Sequence, residues 1–230
     1  MTLRETLKYV LLYGYFIYHH LYNSNMYYTI ITTMLSLYLL SYYKNKFTYE
    51  SQVKYNDFAD KRQMCCIKNF GDVVSNLIYI IGGLYNYQND FQLCVYSILV
   101  GIGSTYYHWN PQMSTLFYDR LPMIFIISYI IHLKLGFDFI ITLIIGLDCL
   151  MKWFFTYDLT NYAIFQGVPL FVLLISGDLN SKIAVFLYLG AKYCEDNDKK
   201  IYAFFNNKIS GHTIKHILSG VVLFISIIHI

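Results

Sequence analysis

Three histidines, an aspartate and a serine are the side chains whose types and spacing suit chemistry best. Ser104 and His108 lie four apart in Gly101-Ile-Gly-Ser104-Thr-Tyr-Tyr-His108, and His212 and His216 lie four apart in Ser210-Gly211-His212-Thr-Ile-Lys215-His216. On a helix that spacing puts both side chains on one face, one turn apart. One helix can then offer two imidazoles to a single metal. His108 from another helix completes a three-histidine set with an open fourth position, the pattern of catalytic rather than structural zinc. Zinc so held lowers the pKa of a bound water to about 7 and polarises a carbonyl. Asp119, in Tyr118-Asp119-Arg120-Leu121-Pro122-Met123, can accept the water's proton or orient a ligand histidine from behind. Ser104 can donate a hydrogen bond to a developing oxyanion.

Each of these residues also has a plainer reading. A histidine at a membrane-helix end is often an interfacial polar residue, and His19, His20, His132 and His229 are best left there. A pair four apart also arises by chance, or binds haem between helices. Asp119-Arg120 can be a structural ion pair at a helix start, where a carboxylate is favoured. Asp148 and Lys152, four apart, read as a local pair. The functional reading rests on all five residues falling on one face.

The elements that must position them are membrane helices. Apolar residues make up 57% of the 230 and charged residues 13%, roughly half the charged share of a soluble domain. The apolar residues fall in long blocks without period-two alternation. A spanning helix needs ~20 mostly apolar residues, and helices satisfy their own backbone hydrogen bonds in lipid. Two N-terminal segments are predicted at about 7–21 and 26–43, within an anchor region 1–43. The first begins with Arg4 and Lys8 and has no small-residue cleavage site after it, which favours an uncleaved anchor. A polar stretch over 44–71 is expected to lie along the membrane surface. Seven core helices follow within 72–230, at about 72–87, 91–108, 117–135, 137–155, 161–175, 182–194 and 209–230. The predicted class is thus all-α, a polytopic bundle of seven helices plus one or two N-terminal spans.

Alternating the crossings tests this reading. The ends that share one face carry Asp72, Ser75, Asn76, Ser104, His108, Asp119, Arg120, His212 and His216. That face also collects Arg4, Lys8, Lys46, Lys54, Lys61, Arg62, Lys68, Lys199, Lys200 and Lys208, against mainly Lys134 and Lys182 opposite. The positive-inside tendency then makes the site face cytoplasmic. A net charge of +3 with no dense basic run gives no argument for nucleic acid. The 25 tyrosines sit mostly at block ends, where amphipathic rings favour the headgroup region. The five cysteines have neither metal nor disulfide spacing; Cys94, Cys149 and Cys194 read as packing residues.

At Gly103-Ser104-Thr-Tyr-Tyr-His108, Asp119-Arg120-Leu-Pro-Met123 and Ser210-Gly211-His212-Thr-Ile-Lys215-His216 the chain resembles the alkaline ceramidase family. That family belongs to a superfamily of seven-helix membrane hydrolases that includes adiponectin/progestin-type receptors and a lipid-remodelling phospholipase. The likeness is closer to the bacterial phytoceramidase-like branch. It extends to Tyr55-Asn-Asp-Phe-Ala-Asp-Lys-Arg62, Asn69-Phe-Gly-Asp-Val-Val-Ser-Asn76 and Tyr162-Ala-Ile-Phe-Gln166, and so covers about 55 to the C-terminus.

The resemblance implies zinc on His108, His212 and His216, with Ser104 and Asp119 as the catalytic side chains. The implied reaction is hydrolysis of the amide of a ceramide-like lipid to a fatty acid and a sphingoid-like amine. Ester cleavage of a phospholipid is the near alternative, and a receptor or lipid-binding protein with a structural metal is the alternative of another class. The eukaryotic members also carry an acidic, tryptophan-containing stretch and a glutamate that form a calcium site. This chain lacks that tryptophan, and Asn69 stands roughly where the glutamate would be, which weighs against calcium.

Overall fold

A computed structural model describes residues 56–225. The segments predicted at 7–21 and 26–43 lie outside the described residues, as do His19, His20 and His229. The described chain is helical: α1 Phe70–Val74, α2 Leu77–Tyr85, α3 Phe91–Trp109, α4 Met113–Leu135, α5 Phe139–Thr156, α6 Thr160–Ser176, α7 Leu179–Asp196, α8 Asp198–Phe204 and α9 Gly211–Ile225. Among the described residues there is no strand, only an isolated bridge between Met64 and Ile67. The helices α4 and α5 are long and apolar enough to cross a membrane; the α1–α2 run, α6 and α9 are apolar but shorter.

Local sequence explains where several helices begin. Asp90, Asp138 and Asp178 precede α3, α5 and α7 in extended backbone, and each side chain accepts from the N–H three residues on. A short carboxylate at that position satisfies a donor the helix leaves without a partner and favours the positive end of its dipole. Pro122 and Pro169 are accommodated inside α4 and α6.

Two compact units emerge from the packing: one comprises 127–175, the other 56–126 together with 176–225. In the first, Leu150 and Trp153 of α5 and Ile164 and Phe165 of α6 are buried. Lys152 pairs with Asp148 at 3.5 Å, and His132 bonds through Nδ1 to the Phe137 carbonyl at 2.6 Å.

The second unit holds every remaining residue of interest. Its centre is α9, which packs on α7, α2, α8 and α1, while α3 packs on α2 and α1. The single helix predicted at 72–87 is broken: α1 ends at Val74 and α2 begins at Leu77. The cause is Ser75-Asn76. The Ser75 Oγ and Asn76 Nδ2 both bond back to the Asp72 carbonyl, at 3.1 and 2.9 Å, the competition that makes these residue types weak helix formers. The helix predicted at 117–135 starts earlier, at Met113. The helix α8, absent from the sequence-based expectation, occupies the link before α9.

Two close approaches set the depth of the site. A Cβ on Gly103 would run into the Tyr118 carbonyl, so glycine lets α3 and α4 meet with Ser104 beside Asp119. A Cβ on Gly211 would run into the Cys194 carbonyl oxygen and lie 2.8 Å from the Asp198 Cα, so the first turn of α9 is seated directly on the end of α7. Overpacking of this kind costs about 1–3 kcal/mol. Gly211→Ala is therefore expected to lower the thermal midpoint by roughly 2–12 °C, read by thermal unfolding of the purified protein. An unchanged midpoint would show that α7 and α9 can separate freely.

Candidate metal centre

The first turn of α9 is tied down by side chains on three elements. Ser210 precedes the helix; its Oγ accepts from the Thr213 N–H at 2.8 Å and donates to Asp72 Oδ1 at 2.6 Å. Thr213 Oγ1 donates to the same Asp72 oxygen at 2.8 Å. Asp198, which opens α8, accepts the His212 N–H at 2.9 Å. Two carboxylates thus face the positive end of α9, the favoured sign for that end. This fixing matters because the two histidines follow at once.

His108, His212 and His216 converge. Each is about 1% exposed, and one ring nitrogen from each lies within 4.8 Å of the other two. Ring centroids are 4.6 Å apart for His108–His212, 4.8 Å for His108–His216 and 4.7 Å for His212–His216. The Nε2 atoms of His108 and His212 are 3.2 Å apart. Two nitrogens on one tetrahedral zinc, each about 2.0–2.1 Å from it, are separated by roughly 3.3 Å. The spacing of this pair suits two ligands of one cation.

The tautomer of His216 follows from its neighbour. Ser75 Oγ donates to the Asp72 carbonyl, so it presents a lone pair to His216 Nδ1, 2.8 Å away. With the hydroxyl so oriented, the proton is on Nδ1 and Nε2 is left bare. That Nε2 is buried with no hydrogen-bond partner, an arrangement that costs free energy unless something fills it. A divalent cation among three neutral imidazoles is such an occupant, and the donor set suits zinc, copper, iron or nickel. Outer partners of this kind typically hold 10- to 100-fold in metal affinity. Ser75→Ala is expected to weaken zinc binding within that range, measured by competition with a chromophoric chelator. Unaltered affinity would mean that His216 is oriented by packing alone.

Asp119 and Ser104 are both buried with their side chains close enough to interact, and the Asp119 carboxylate lies within electrostatic reach of Lys215, Arg120 and Glu195. Arg120 is buried beside it. All five residues singled out in the sequence therefore belong to the second unit: three form the imidazole cluster, and two form a hydroxyl–carboxylate pair.

The structure adds residues to which no role was assigned. Glu195, near the end of α7, places Oε1 3.9 Å from His212 Nδ1 and accepts from Lys215 Nζ at 2.7 Å. The Lys215 Nζ also lies 3.5 Å from His212 Nε2. Lys215 stands three residues after His212, so its place on the same helix face was readable from spacing. Glu195 had no such signal, because only the fold brings α7 to α9.

Over the cluster runs a strap, 56–62. The Phe58 ring lies against His108 and His212, with centroids at 4.7 and 4.6 Å. Ala59 N–H donates to Asp198 Oδ2 at 2.8 Å, so one carboxylate clips the strap to the histidine helix. Asn69 Nδ2 donates to the His108 carbonyl at 2.8 Å, and Tyr107 Oη donates to Asn56 at 2.6 Å. The segment expected to lie on the membrane surface therefore contributes a wall of the site.

The strap is pinned by charge. Asp60, fully buried, accepts from Arg62 Nε and Nη2 at 2.8 and 2.7 Å and from the Gly71 N–H at 3.1 Å. Burial alone would raise its pKa, but the bonds from Arg62 and Gly71 prevail and hold it below the usual carboxylate value. Asp57 is pulled down to about 2 by hydrogen bonds from Lys199 and Lys61. Folded pKa values below the unfolded ones mean that these contacts stabilise above the ordinary carboxylate range and are lost only in acid. Beside the strap, a cleft of about 350 Å³ is lined in part by Phe58, Glu195, Asp198, Lys199, Lys200 and His212.

Comparison with known proteins finds no matching family model, no matching curated protein and no matching solved structure.

Proposed function

We propose that this chain is a zinc-dependent, multi-pass membrane hydrolase that cleaves the amide bond of a ceramide-like lipid. The observation that carries the reading is the buried imidazole cluster, with a bare Nε2 on His216, accompanied in one compact unit by the Ser104–Asp119 pair. Three neutral ligands with room for a fourth are the arrangement of catalytic zinc. When bound, zinc supplies an activated water and polarises the substrate carbonyl. The membrane reading draws on the span-length α4 and α5 and on the three shorter apolar helices; with α3 and α7 these make up the seven-helix core, and the apolar sequence at 7–21 and 26–43 adds the N-terminal spans.

Asp119 takes the proton that water loses as its oxygen adds to the carbonyl carbon. Once protonated, the carboxyl no longer holds the Ser104 hydroxyl as a charged acceptor, and that hydroxyl can donate to the oxyanion instead. The proton on Asp119 then passes to the departing nitrogen as the C–N bond breaks, giving a fatty acid and an amine. Buried walls such as Phe58 exclude bulk water and strengthen these interactions. An ester in place of the amide is cleaved by the same steps. Lys61, Arg62, Lys68, Lys199, Lys200 and Lys208, against Lys134 and Lys182, favour a cytoplasmic site face.

The test is a panel of lipid amides and esters incubated with purified protein whose zinc content is measured in parallel. Turnover that disappears with the metal in His212→Ala supports the proposal. Full zinc occupancy without turnover of any lipid makes the chain a receptor or lipid-binding protein instead.

A further inference from the structure

We propose that Lys215 is an anion-positioning residue, whose ammonium holds the carboxylate or oxyanion end of a lipid acyl chain against a cation carried by His108, His212 and His216. This deepens the hydrolase reading and rests on it.

Placement is the first argument. Lys215 lies between the two histidines of α9, yet its ammonium does not point away from them. Nζ is 3.5 Å from His212 Nε2, which is itself 3.2 Å from His108 Nε2. The side chain is only 20% exposed. A long, strongly hydrated ammonium is usually left in water; here it reaches the rim of the imidazole cluster.

Charge is the second. Zinc held on His212 Nε2 at about 2.0–2.1 Å would lie no farther than roughly 5.6 Å from that ammonium. A dication and an ammonium at such a distance repel strongly in a partly buried site. Glu195 Oε1 offsets some of this at 2.7 Å from Lys215, but its Oε2 is engaged by Lys192 at 2.6 Å. Asp119 also acts on Lys215. Lys192 shares Glu195 and Arg120 shares Asp119, so even with both carboxylates ionised the dication and the Lys215 ammonium retain net positive charge. A further anion lying between the two cations lowers that excess.

Space and chemistry define that anion. The cleft lined in part by Phe58, Glu195 and His212 reaches the two residues that the Lys215 ammonium contacts. Amide and ester hydrolysis both give a carboxylate, and both pass through a tetrahedral oxyanion of the same charge. A monoanionic oxygen group on an acyl chain is the ligand that the arrangement fits, and the same oxygens could come from a free inorganic anion.

The experiment measures zinc affinity of the full-length protein in detergent by chelator competition. Four conditions are compared: no addition, octanoate, uncharged octanamide, and inorganic phosphate. Octanoate is expected to tighten zinc binding about tenfold, a usual size for coupling between two ligands, and octanamide to leave it unchanged. Lys215→Met should abolish the octanoate effect and bind zinc a few-fold tighter without anion, while Lys215→Arg keeps the coupling. Glu195→Gln, which frees the ammonium from its carboxylate, should enlarge it and serves if Lys215→Met does not fold. Equal coupling in Lys215→Met, or reduced coupling in Glu195→Gln, overturns the assignment. Equal tightening by phosphate overturns the acyl-chain ligand. Zinc uptake without any octanoate coupling in the wild type sinks the role of Lys215 alone; no zinc uptake at all sinks the hydrolase reading with it.

Discussion

Replacing His216 by alanine is expected to eliminate stoichiometric zinc and, with it, turnover of any lipid substrate. The side chain offers a ligand atom on one nitrogen and bonds Ser75 through the other, so the substitution removes a donor and its support together. Losing an outer partner alone costs 10- to 100-fold in affinity, and losing the ligand exceeds that, roughly 100-fold or more. Zinc that binds only the folded chain stabilises it by about 2.7 kcal/mol at a hundredfold excess over Kd. The wild-type thermal midpoint should therefore rise by roughly 5–11 °C on adding zinc, and that of His216→Ala should not move. Elemental analysis and paired melting curves read both effects. Wild-type zinc content in the variant would remove His216 from the ligand set.

Asp119→Asn is expected to separate chemistry from metal binding. Asparagine keeps the shape and still offers an oxygen to Ser104, but it cannot take up a proton. A positioned general base contributes typically 10²- to 10⁴-fold, so turnover should fall by about that factor while zinc content stays whole. The measurement is single-turnover cleavage at saturating lipid, with zinc quantified on the same sample. Zinc lost along with turnover would make Asp119 a support for the ligands. Undiminished turnover would end its role as base.

How much of this was legible in advance depends on the range of the interaction concerned. The pairing of His212 with His216 is a property of one helical turn, and so is Ser104 with His108; no other part of the chain is needed to place them side by side. The aspartate caps at 90, 138 and 178 are equally local, because a side chain three residues from a backbone donor reaches it whatever lies around. The interruption at Ser75-Asn76 was readable in kind, since both residues compete for backbone groups, but it fell inside an apolar run and was masked by it.

Sequence by itself determined the helical class, the α4 and α5 stretches of span length, and the placing of His212 beside His216 on one helix face, because each rests on composition or on spacings of a few residues. Only tertiary structure decided that His108, 104 residues before His212, shares a pocket with it. The same packing brought Glu195 of α7 to Lys215, and the 56–62 strap across two imidazoles. It also set the division of 72–225 between two compact units. Contacts of that kind depend on how closely whole helices approach, as at Gly103 and Gly211 where a missing Cβ admits a carbonyl, and no local pattern encodes which carbonyl that is.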